Sequence, residues 1–176
     1  TSAVSPVTYC AGAAVSVPFT TNAAANAGNV FTAQLSNAAG SFASPVNIGT
    51  LTSTAAGTIS GTIPAGTTAG SGYRIRVVSS NPVVIGSDNG ANITVNVAPT
   101  ASTITAGGAT TFCAGGNVVL SGNVGGTWNT GATTSSITVT NAGNYFVTNS
   151  NSCGSVQSNI ISVTVNPQPV ASTITA

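Results

Sequence analysis

The sequence predicts an all-β protein built from consecutive β-sandwiches. Stretches rich in Val, Ile and Thr recur about every 8–14 residues and are separated by clusters of Gly, Asn, Ser and Pro. Signals for helices are nearly absent. The regular spacing of β-branched residues and the positive mean hydropathy argue against a disordered chain. We therefore expect short strands that pack face to face.

The alternating patterns place these strands in two blocks. In the first block we predict strands at 3–8, 14–20, 29–36, 45–51, 57–63, 73–79 and 91–97. In the second block we predict strands at 102–106, 117–121, 126–129, 135–140, 144–148 and 160–165. The Asp-Asn-Gly run at 88–90 has the composition of a tight hairpin turn. About seven short strands per block, with turn signals between them, are typical of an immunoglobulin-like sandwich.

The chain also repeats itself. The segment at 99–106, Pro-Thr-Ala-Ser-Thr-Ile-Thr-Ala, recurs at 169–176 with one substitution, and the Cys-Ala-Gly sequence at 10–12 recurs at 113–115. These matches predict one domain at 1–98, a second at 99–168, and the first strand of a following repeat at 169–176. Prolines at both junctions are expected to stiffen the linkers.

Ionisable side chains are almost missing. The chain has one acid, Asp88, two bases, Arg74 and Arg76, and no histidine or lysine. Acid–base catalysis and metal binding need clusters of such groups, so we expect no enzyme activity, no cofactor and no metal site. A formal net charge of +1 offers no basic patch for nucleic acid. No apolar stretch reaches the roughly 18 residues of a membrane span, so membrane insertion is not expected.

The two arginines lie two residues apart in the predicted strand at 73–79. Strand alternation puts Tyr73, Ile75 and Val77 on one face. It puts Arg74 and Arg76 together on the other, where they line the solvent side of the strand. The alternative is a small binding pair for an anion or a protein partner.

The three cysteines point to an oxidising compartment. Cys113 and Cys153 fall in the same block, which predicts a disulfide worth roughly 4 kcal/mol in the chain-entropy model. Cys10 aligns with Cys113, but its block has no second cysteine, and Val83 stands where the pattern would place one. We therefore predict that Cys10 has no partner in its own domain. It is either a buried thiol or part of a disulfide to another domain or chain, since no neighbouring base favours catalysis.

Trp128 is the sole tryptophan of the chain. In immunoglobulin-like sandwiches a tryptophan packs against the disulfide, which is the role we predict for it. The alternative is an exposed ring that stacks on a sugar.

The two blocks resemble known modules. The motifs of the second block are Thr111-Phe-Cys-Ala-Gly-Gly116, Trp128-Asn-Thr-Gly-Ala-Thr-Thr134, Ala142-Gly-Asn-Tyr145 and Asn151-Ser-Cys153. Those of the first are Asn29-Val-Phe-Thr-Ala-Gln-Leu-Ser36, Gly72-Tyr-Arg-Ile-Arg-Val-Val-Ser-Ser80 and Gly86-Ser-Asp-Asn-Gly90. Both blocks resemble the tandem immunoglobulin-like repeats of large secreted and surface proteins of Bacteroidota, exported by the type IX secretion system. The resemblance implies an extracellular, non-catalytic role.

The function expected from these features is structural or adhesive. A chain with so little charge lacks the repulsion that keeps proteins apart, so we expect an extracellular stalk or filament that associates end to end. Its partners would be neighbouring repeats or copies of itself, with surface polysaccharide as a further candidate. The alternative is a carbohydrate-binding or spacer module attached to a secreted hydrolase, which an exposed Trp128 would favour.

The end of the sequence is the expected place of self-association. An uncharged apolar edge strand is unfavourable in water, so a following domain or another subunit should cover it by strand addition. The residues of this predicted strand are Val170, Ala171, Ser172, Thr173, Ile174, Thr175 and Ala176.

Overall fold

The computed structural model describes residues 1–170, and every regular element in that range is a β-strand. The chain divides into two compact units, unit 1 from Thr1 to Ala98 and unit 2 from Pro99 to Ala176.

Unit 1 contains nine strands. They are β1 (Thr8–Cys10), β2 (Ala14–Phe19), β3 (Val30–Leu35), β4 (Val46–Thr52), β5 (Gly57–Thr62), β6 (Gly70–Tyr73), β7 (Ile75–Ser80), β8 (Val83–Asp88) and β9 (Ile93–Asn96). One sheet has the order β4-β3-β7-β8, a second pairs β2 with β5, and a third has the order β1-β9-β6. Strands β6 and β7 are separated by Arg74 alone, so they form one interrupted strand that takes part in two sheets.

Unit 2 also contains nine strands within the described part of the chain. They are β10 (Thr105–Ala106), β11 (Thr111–Cys113), β12 (Val118–Ser121), β13 (Thr127–Trp128), β14 (Ser136–Val139), β15 (Gly143–Tyr145), β16 (Val147–Asn151), β17 (Gly154–Gln157) and β18 (Ile161–Asn166). Its sheets have the orders β10-β12-β14, β13-β16-β17 and β11-β18-β15. Both units are therefore all-β sandwiches of the immunoglobulin-like class, as the strand spacing predicts.

Each sandwich is closed by a parallel pair. In unit 1 the first strand, β1, runs parallel to the last strand, β9, and Cys10 lies opposite Asn96. In unit 2, β11 runs parallel to β18, and Cys113 lies opposite Asn166. In each unit the amide of the residue after the cysteine donates to the carbonyl of that asparagine, from Ala11 to Asn96 at 2.8 Å and from Ala114 to Asn166 at 2.8 Å.

Alternating side chains fill one core in each unit. The predicted alternation at 73–77 is confirmed, because Tyr73, Ile75 and Val77 are buried while the two arginines between them stay partly exposed. The buried core of unit 1 comprises Val4, Tyr9, Val15, Val17, Phe19, Phe31, Ala33, Leu35, Ile48, Ile59, Ile63, Tyr73, Ile75, Val77, Ile93 and Val95. That of unit 2 comprises Ile104, Val118, Leu120, Trp128, Val139, Tyr145, Val147 and Val163.

Buried asparagine side chains form hydrogen bonds with backbone groups of the loops. The Asn29 carboxamide donates to the Ser53 carbonyl at 3.0 Å and accepts from the amides of Ser80 and Asn81 at 3.0 and 2.8 Å. In unit 2, Asn123 donates to the Gly126 carbonyl at 2.8 Å and accepts from the Gly126 amide at 2.7 Å. Buried backbone groups left unpaired would be costly, so these neutral amides stabilise the loops that they bridge.

The predicted hairpin turn at 88–90 is wrong. The amide of Asn89 donates to the Ile75 carbonyl at 2.8 Å, and its side chain accepts from the Ile75 amide at 2.9 Å, so the chain stays attached to β7. The turn lies instead at Asn81 and Pro82, between β7 and β8. Strand β8 was not predicted, because its three consecutive apolar residues at 83–85 do not alternate with polar ones.

The predicted terminal strand lies largely outside the described residues, which end before Ala171. Of its seven residues only Val170 is described, and its side chain is almost fully exposed.

Two tyrosines provide a matched test of the cores. Within residues 1–170 the buried Tyr9 hydroxyl has no hydrogen-bond partner, whereas the Tyr145 hydroxyl donates to the Asn141 carbonyl at 3.0 Å. Since an unsatisfied buried polar group is costly and a satisfied one is favourable, Tyr9→Phe should stabilise unit 1 by about 1 kcal/mol and Tyr145→Phe should destabilise unit 2 by a similar amount. Urea unfolding followed by circular dichroism measures both, with Trp128 fluorescence reporting on unit 2 alone. Equal losses of stability in the two variants would contradict the assignment.

The same hydroxyl predicts a loss of stability in alkali. Burial raises the pKa of Tyr9. The unfolded chain therefore releases this proton first, and stability falls as the pH rises above the ordinary tyrosine value of about 10. Tyr9→Phe should remove that part of the alkaline destabilisation.

Candidate functional site

All three charged side chains belong to unit 1 and are engaged on its surface. The Arg74 guanidinium lies 3.4 Å from the Asp88 carboxylate and donates to the Asn92 side chain at 2.8 Å. The Arg76 guanidinium donates to the Gln34 side chain at 2.9 Å and lies 4.4 Å from the centre of the Phe42 ring. Both arginines line the solvent side of the strand, as predicted, and each guanidinium donates to at least one side chain of the unit. Exposed pairs of this kind contribute about 0–1 kcal/mol each.

Strand β8 is an edge strand of the same sheet, and its first three residues are apolar and exposed. Val83, Val84 and Ile85 are 82%, 53% and 66% exposed and follow one another in sequence. Within the described residues β8 pairs only with β7, so its second edge carries no strand. Most soluble proteins protect such an edge with charge, proline or a bulge, because it otherwise accepts strands from other chains. In β8 such features lie in its second half, where the pairing with β7 shifts register, the Thr1 ammonium donates to the Ser87 carbonyl at 3.2 Å and Asp88 ends the strand. Residues 83–85 have none of them.

An open cleft continues this edge into the sandwich. It has a volume of about 490 Å³ and is lined on the core side by Phe19, Phe31 and Val77, with Val84 at the edge strand. The segment at 20–25 forms its other wall. We call β8 residues 83–85 together with this cleft the β8 surface. It is an apolar surface with a hydrogen-bonding edge, which is the combination that binds an extended strand.

Sequence reasoning missed the β8 surface. The signal was present, however, because aligning the two blocks at their last strands maps position 153 onto Val83. In the structure both positions lie at the turn of a hairpin, between β7 and β8 in unit 1 and between β16 and β17 in unit 2. The two units therefore place different chemistry at the same position: an apolar side chain in the first and a cysteine in the second.

The predicted cysteine pairing is wrong. Cys113 is a free, exposed thiol, whereas Cys10 and Cys153 are both disulfide-bonded. Of the two alternatives for Cys10, the unpaired buried thiol is therefore wrong, whereas the prediction that it has no partner in its own domain agrees with the absence of a second cysteine from residues 1–98.

The topology of unit 2 explains why Cys113 and Cys153 do not pair. Cys153 lies in the turn before β17, where the final extended segment of unit 2, formed by β17 and β18, begins. Cys113 lies beside Asn166, where this segment ends. At about 3.3 Å per residue in an extended chain, the two ends of this segment lie on the order of 30 Å apart. A disulfide needs Cα atoms roughly 4.4–6.8 Å apart. We call the end of a unit that carries the turn of the β7–β8 or β16–β17 hairpin its tip end, and the end where its last strand finishes its exit end.

Trp128 is buried, as predicted, but its neighbours differ from those expected. Its side chain is 1% exposed and packs in the core of unit 2 with residues such as Leu120 and Val147. The indole nitrogen donates to the Thr134 carbonyl at 2.9 Å. Since Cys113 is an exposed free thiol at the exit end, the ring does not pack against a Cys113–Cys153 disulfide.

Among residues 1–170 no group of three His, Cys, Asp or Glu side chains comes together as metal ligands do. Over the same range no helix has the length and hydrophobicity needed to cross a bilayer.

Comparisons with known proteins find similar structures but no sequence family. No family model matches the chain, and no curated protein matches it. Murine CEACAM1b is 16% identical with a TM-score of 0.40, over 93% of this chain and 98% of that chain. The complex of the mouse coronavirus receptor-binding domain with its murine receptor gives 15% identity and a TM-score of 0.43, over 94% and 99% of the respective chains.

A third structure is an array of similar domains. The eight N-terminal Ig domains of Down Syndrome Cell Adhesion Molecule are 16% identical with a TM-score of 0.39, and the match covers 92% of this chain and 25% of that one. Because the sequence identities and TM-scores are this low, the immunoglobulin-like fold is assigned from the strand topology of the chain itself, and no functional residue is transferred from these proteins.

The cysteine chemistry predicts one reactive thiol per chain. Without reduction, a maleimide should label the native protein once, at Cys113, because the other two sulfurs are already oxidised. Peptide mass spectrometry locates the label. Cys113→Ser should abolish labelling, and a label on Cys10 or Cys153 in the folded protein would contradict the structure.

The burial of Trp128 predicts a shielded emission. Its fluorescence should be blue-shifted and poorly quenched by acrylamide, and adding polysaccharide should leave the spectrum unchanged. Unfolding in urea should move the emission to the red and restore quenching. Strong quenching of the native protein, or a spectral change with polysaccharide, would show an accessible ring.

Proposed function

We propose that this chain is a non-catalytic structural and adhesive segment of an extracellular repeat protein, which forms a cell-surface stalk or filament by associating end to end. The observation that carries the proposal is the β8 surface, where the apolar, uncharged residues 83–85 of an edge strand lie beside an open cleft. A contiguous exposed apolar surface of this kind marks an interaction site.

The partner of the β8 surface is another repeat of the same kind. Such repeats are built of uncharged strands rich in Val, Thr and Ser, which can add to the free edge of β8 while apolar side chains enter the cleft. Charge does not oppose this contact, because the only charged side chains of the chain are Asp88 and the two arginines that are paired on the unit 1 surface.

The geometry of a single unit favours association along one direction. In unit 1 the turn between β7 and β8 presents Val83 at the tip end, whereas the chain leaves the unit after β9, at the exit end. A surface at one end of a repeat that binds another repeat gives a head-to-tail contact, and such contacts produce extended assemblies when they do not close into a ring. The predicted strand at 170–176, at the junction to a following repeat, would extend the same array.

The setting is the cell exterior. Two of the three cysteines are disulfide-bonded, and disulfides are typical of oxidising compartments. The resemblance to repeats of large Bacteroidota surface proteins adds the type IX secretion system as the export route. The division of the chain into two repeats and the start of a third is part of this proposal.

The carbohydrate-binding alternative loses the feature that favoured it. Trp128 is in the core of unit 2 with its indole nitrogen bonded to Thr134, so its ring offers no face to a sugar. Surface polysaccharide therefore remains a partner without an assigned binding residue.

A charge placed on the β8 edge tests the proposal. Ile85→Lys introduces a cation at an exposed position of the edge strand, where it must be desolvated if another strand pairs there. Sedimentation velocity over a concentration series, with negative-stain imaging, should show assembly of the native protein and at least a tenfold higher concentration for assembly of the variant.

The matched control is Val124→Lys. Val124 is 77% exposed and lies in a bend of unit 2, so this variant has the same net charge without altering an edge strand. It should assemble as the native protein does. A native protein that stays monomeric at every concentration, or equal weakening by the two lysines, would refute the proposal.

A further inference from the structure

We propose that Cys113 is a covalent attachment point, which forms a disulfide with a cysteine at the tip end of a following repeat. The proposal rests on the repeat array proposed above but concerns a different part of the molecule. The partner cysteine would occupy the position that Cys153 has in unit 2.

Cys113 has a structural equivalent that is already oxidised. Cys10 in unit 1 and Cys113 in unit 2 end the strand that runs parallel to the last strand, opposite Asn96 and Asn166. In both, the cysteine carbonyl accepts a bond of 2.9 Å from the amide three residues later. In both, the intervening glycine has a positive φ, 88° at Gly12 and 92° at Gly115.

The two cysteines therefore differ in oxidation state and not in backbone environment. Cys10 is disulfide-bonded, and Cys113 is a free thiol that is exposed at the exit end of unit 2. Unit 1 shows that a cysteine at this position of the repeat forms a disulfide. The free thiol of unit 2 is the same position without its partner.

The partner must come from outside the repeat that carries Cys113. The other cysteine of this repeat, Cys153, lies at the tip end. The tip and exit ends of one unit lie on the order of 30 Å apart along an extended chain. A bond between the exit-end and tip-end cysteines of one repeat is excluded by that distance. A second repeat can supply the tip-end cysteine.

The direction of the chain brings a tip end to Cys113. In unit 2 the entering segment lies beside the tip hairpin, because the Ser102 hydroxyl donates to the Asn149 side chain at 2.8 Å on β16. The chain leaves at Asn166, opposite Cys113. A following repeat of the same fold therefore starts near Cys113 and enters at its own tip end.

The sequence after Asn166 supports this arrangement. It continues through Pro-Gln-Pro and then repeats, at 169–176, the segment that opens unit 2 at 99–106. A short, proline-stiffened linker keeps the two cysteines at a high effective concentration.

The chemistry is a thiol–disulfide exchange. Two thiols lose two protons and two electrons as the sulfur–sulfur bond forms, and a donor disulfide, either a small molecule or an oxidising protein, takes up both and is reduced to two thiols. Cys113 attacks as its thiolate, and its exposure gives the donor access.

An extended chain tests the inference. Because 169–176 matches 99–106, a copy of residues 107–168 added after Ala176 completes a third repeat in register. This protein is oxidised with a glutathione redox pair, labelled with maleimide and mapped by non-reducing peptide mass spectrometry. We expect Cys113 to be joined to the added copy of Cys153, and the maleimide label to move from Cys113 to the added copy of Cys113.

The control replaces the added copy of Cys153 by serine. Cys113 should then be labelled again, so the number of labelled thiols should rise from one to two per chain. The copy of Trp128 in the added repeat reports its folding through a blue-shifted emission. A folded third repeat with Cys113 still free, or a Cys113–Cys113 disulfide between two chains, would overturn the inference.

A second variant needs no added domain. Val83→Cys places a thiol at the tip end of unit 1. Val46→Cys places one at an exposed position at the opposite end of the same sheet, since Val46 pairs with Leu35 and Leu35 with Ile75. Under the same oxidation Val83→Cys should give disulfide-linked oligomers through Cys113, at least tenfold more than Val46→Cys. Equal cross-linking of the two variants would count against a specific tip-end partner.

The two proposals fail in different ways. The extended chain is studied at high dilution, where the disulfide forms within one molecule and needs no self-association. A bonded Cys113 in a protein that never assembles would refute the proposed function alone, and assembly with a permanently free Cys113 would refute this inference alone.

Discussion

The parallel pairing of an early strand with the last strand is the constraint on which each sandwich depends. β1 with β9 in unit 1, and the second strand β11 with β18 in unit 2, close a sandwich whose other ladders are antiparallel. The same pairing fixes the position of the turn that follows the cysteine in both units, because the amide of the next residue bonds to the last asparagine of the closing strand. The position of Cys10 and Cys113 at the exit end is thus a consequence of how the fold closes.

A chain with three charged side chains must satisfy its interior by other means. The interior polar groups are amides and hydroxyls, such as Asn29 and Asn123, each of which pairs with backbone groups from separate segments. Ser158 does the same for the interruption between β15 and β16, where its hydroxyl accepts from the Val147 amide at 2.9 Å. Neutral partners avoid the large desolvation cost of a buried charge, so the near-absence of ionisable residues is compatible with well-ordered cores.

The sequence was informative wherever a local pattern determines the outcome. Alternation at 73–77 reports directly which side chains face the core, and the repeated cysteine motif correctly aligned Cys10 with Cys113. Pairing between distant segments was not determined in this way. The disulfide prediction assumed that two cysteines of one block are close in space, but the length of the segment formed by β17 and β18 separates Cys113 from Cys153.

The β8 surface shows the same limit. Non-alternating residues such as Val83 and Val84 do not produce a strand signal, since alternation predicts a strand only when one face is solvated and the other buried. Their exposure depends on the absence of a further paired strand within the described residues, which is a property of the sheet and not of the segment. The composition of 88–90 misled for a related reason, because Asn89 uses its side chain to stay bonded to β7 and does not turn the chain back.

The placement of every charged side chain in unit 1 has a consequence for how unit 2 responds to its surroundings. From Pro99 onward the sequence has no Asp, Glu, His, Lys or Arg. Proton linkage requires a side chain whose protonation differs between the folded and unfolded states, and below about pH 8 unit 2 has none to supply it. Its cohesion therefore owes nothing to side-chain ion pairs, which acid would neutralise and salt would screen, so neither of these two effects changes the stability of a repeat of this composition.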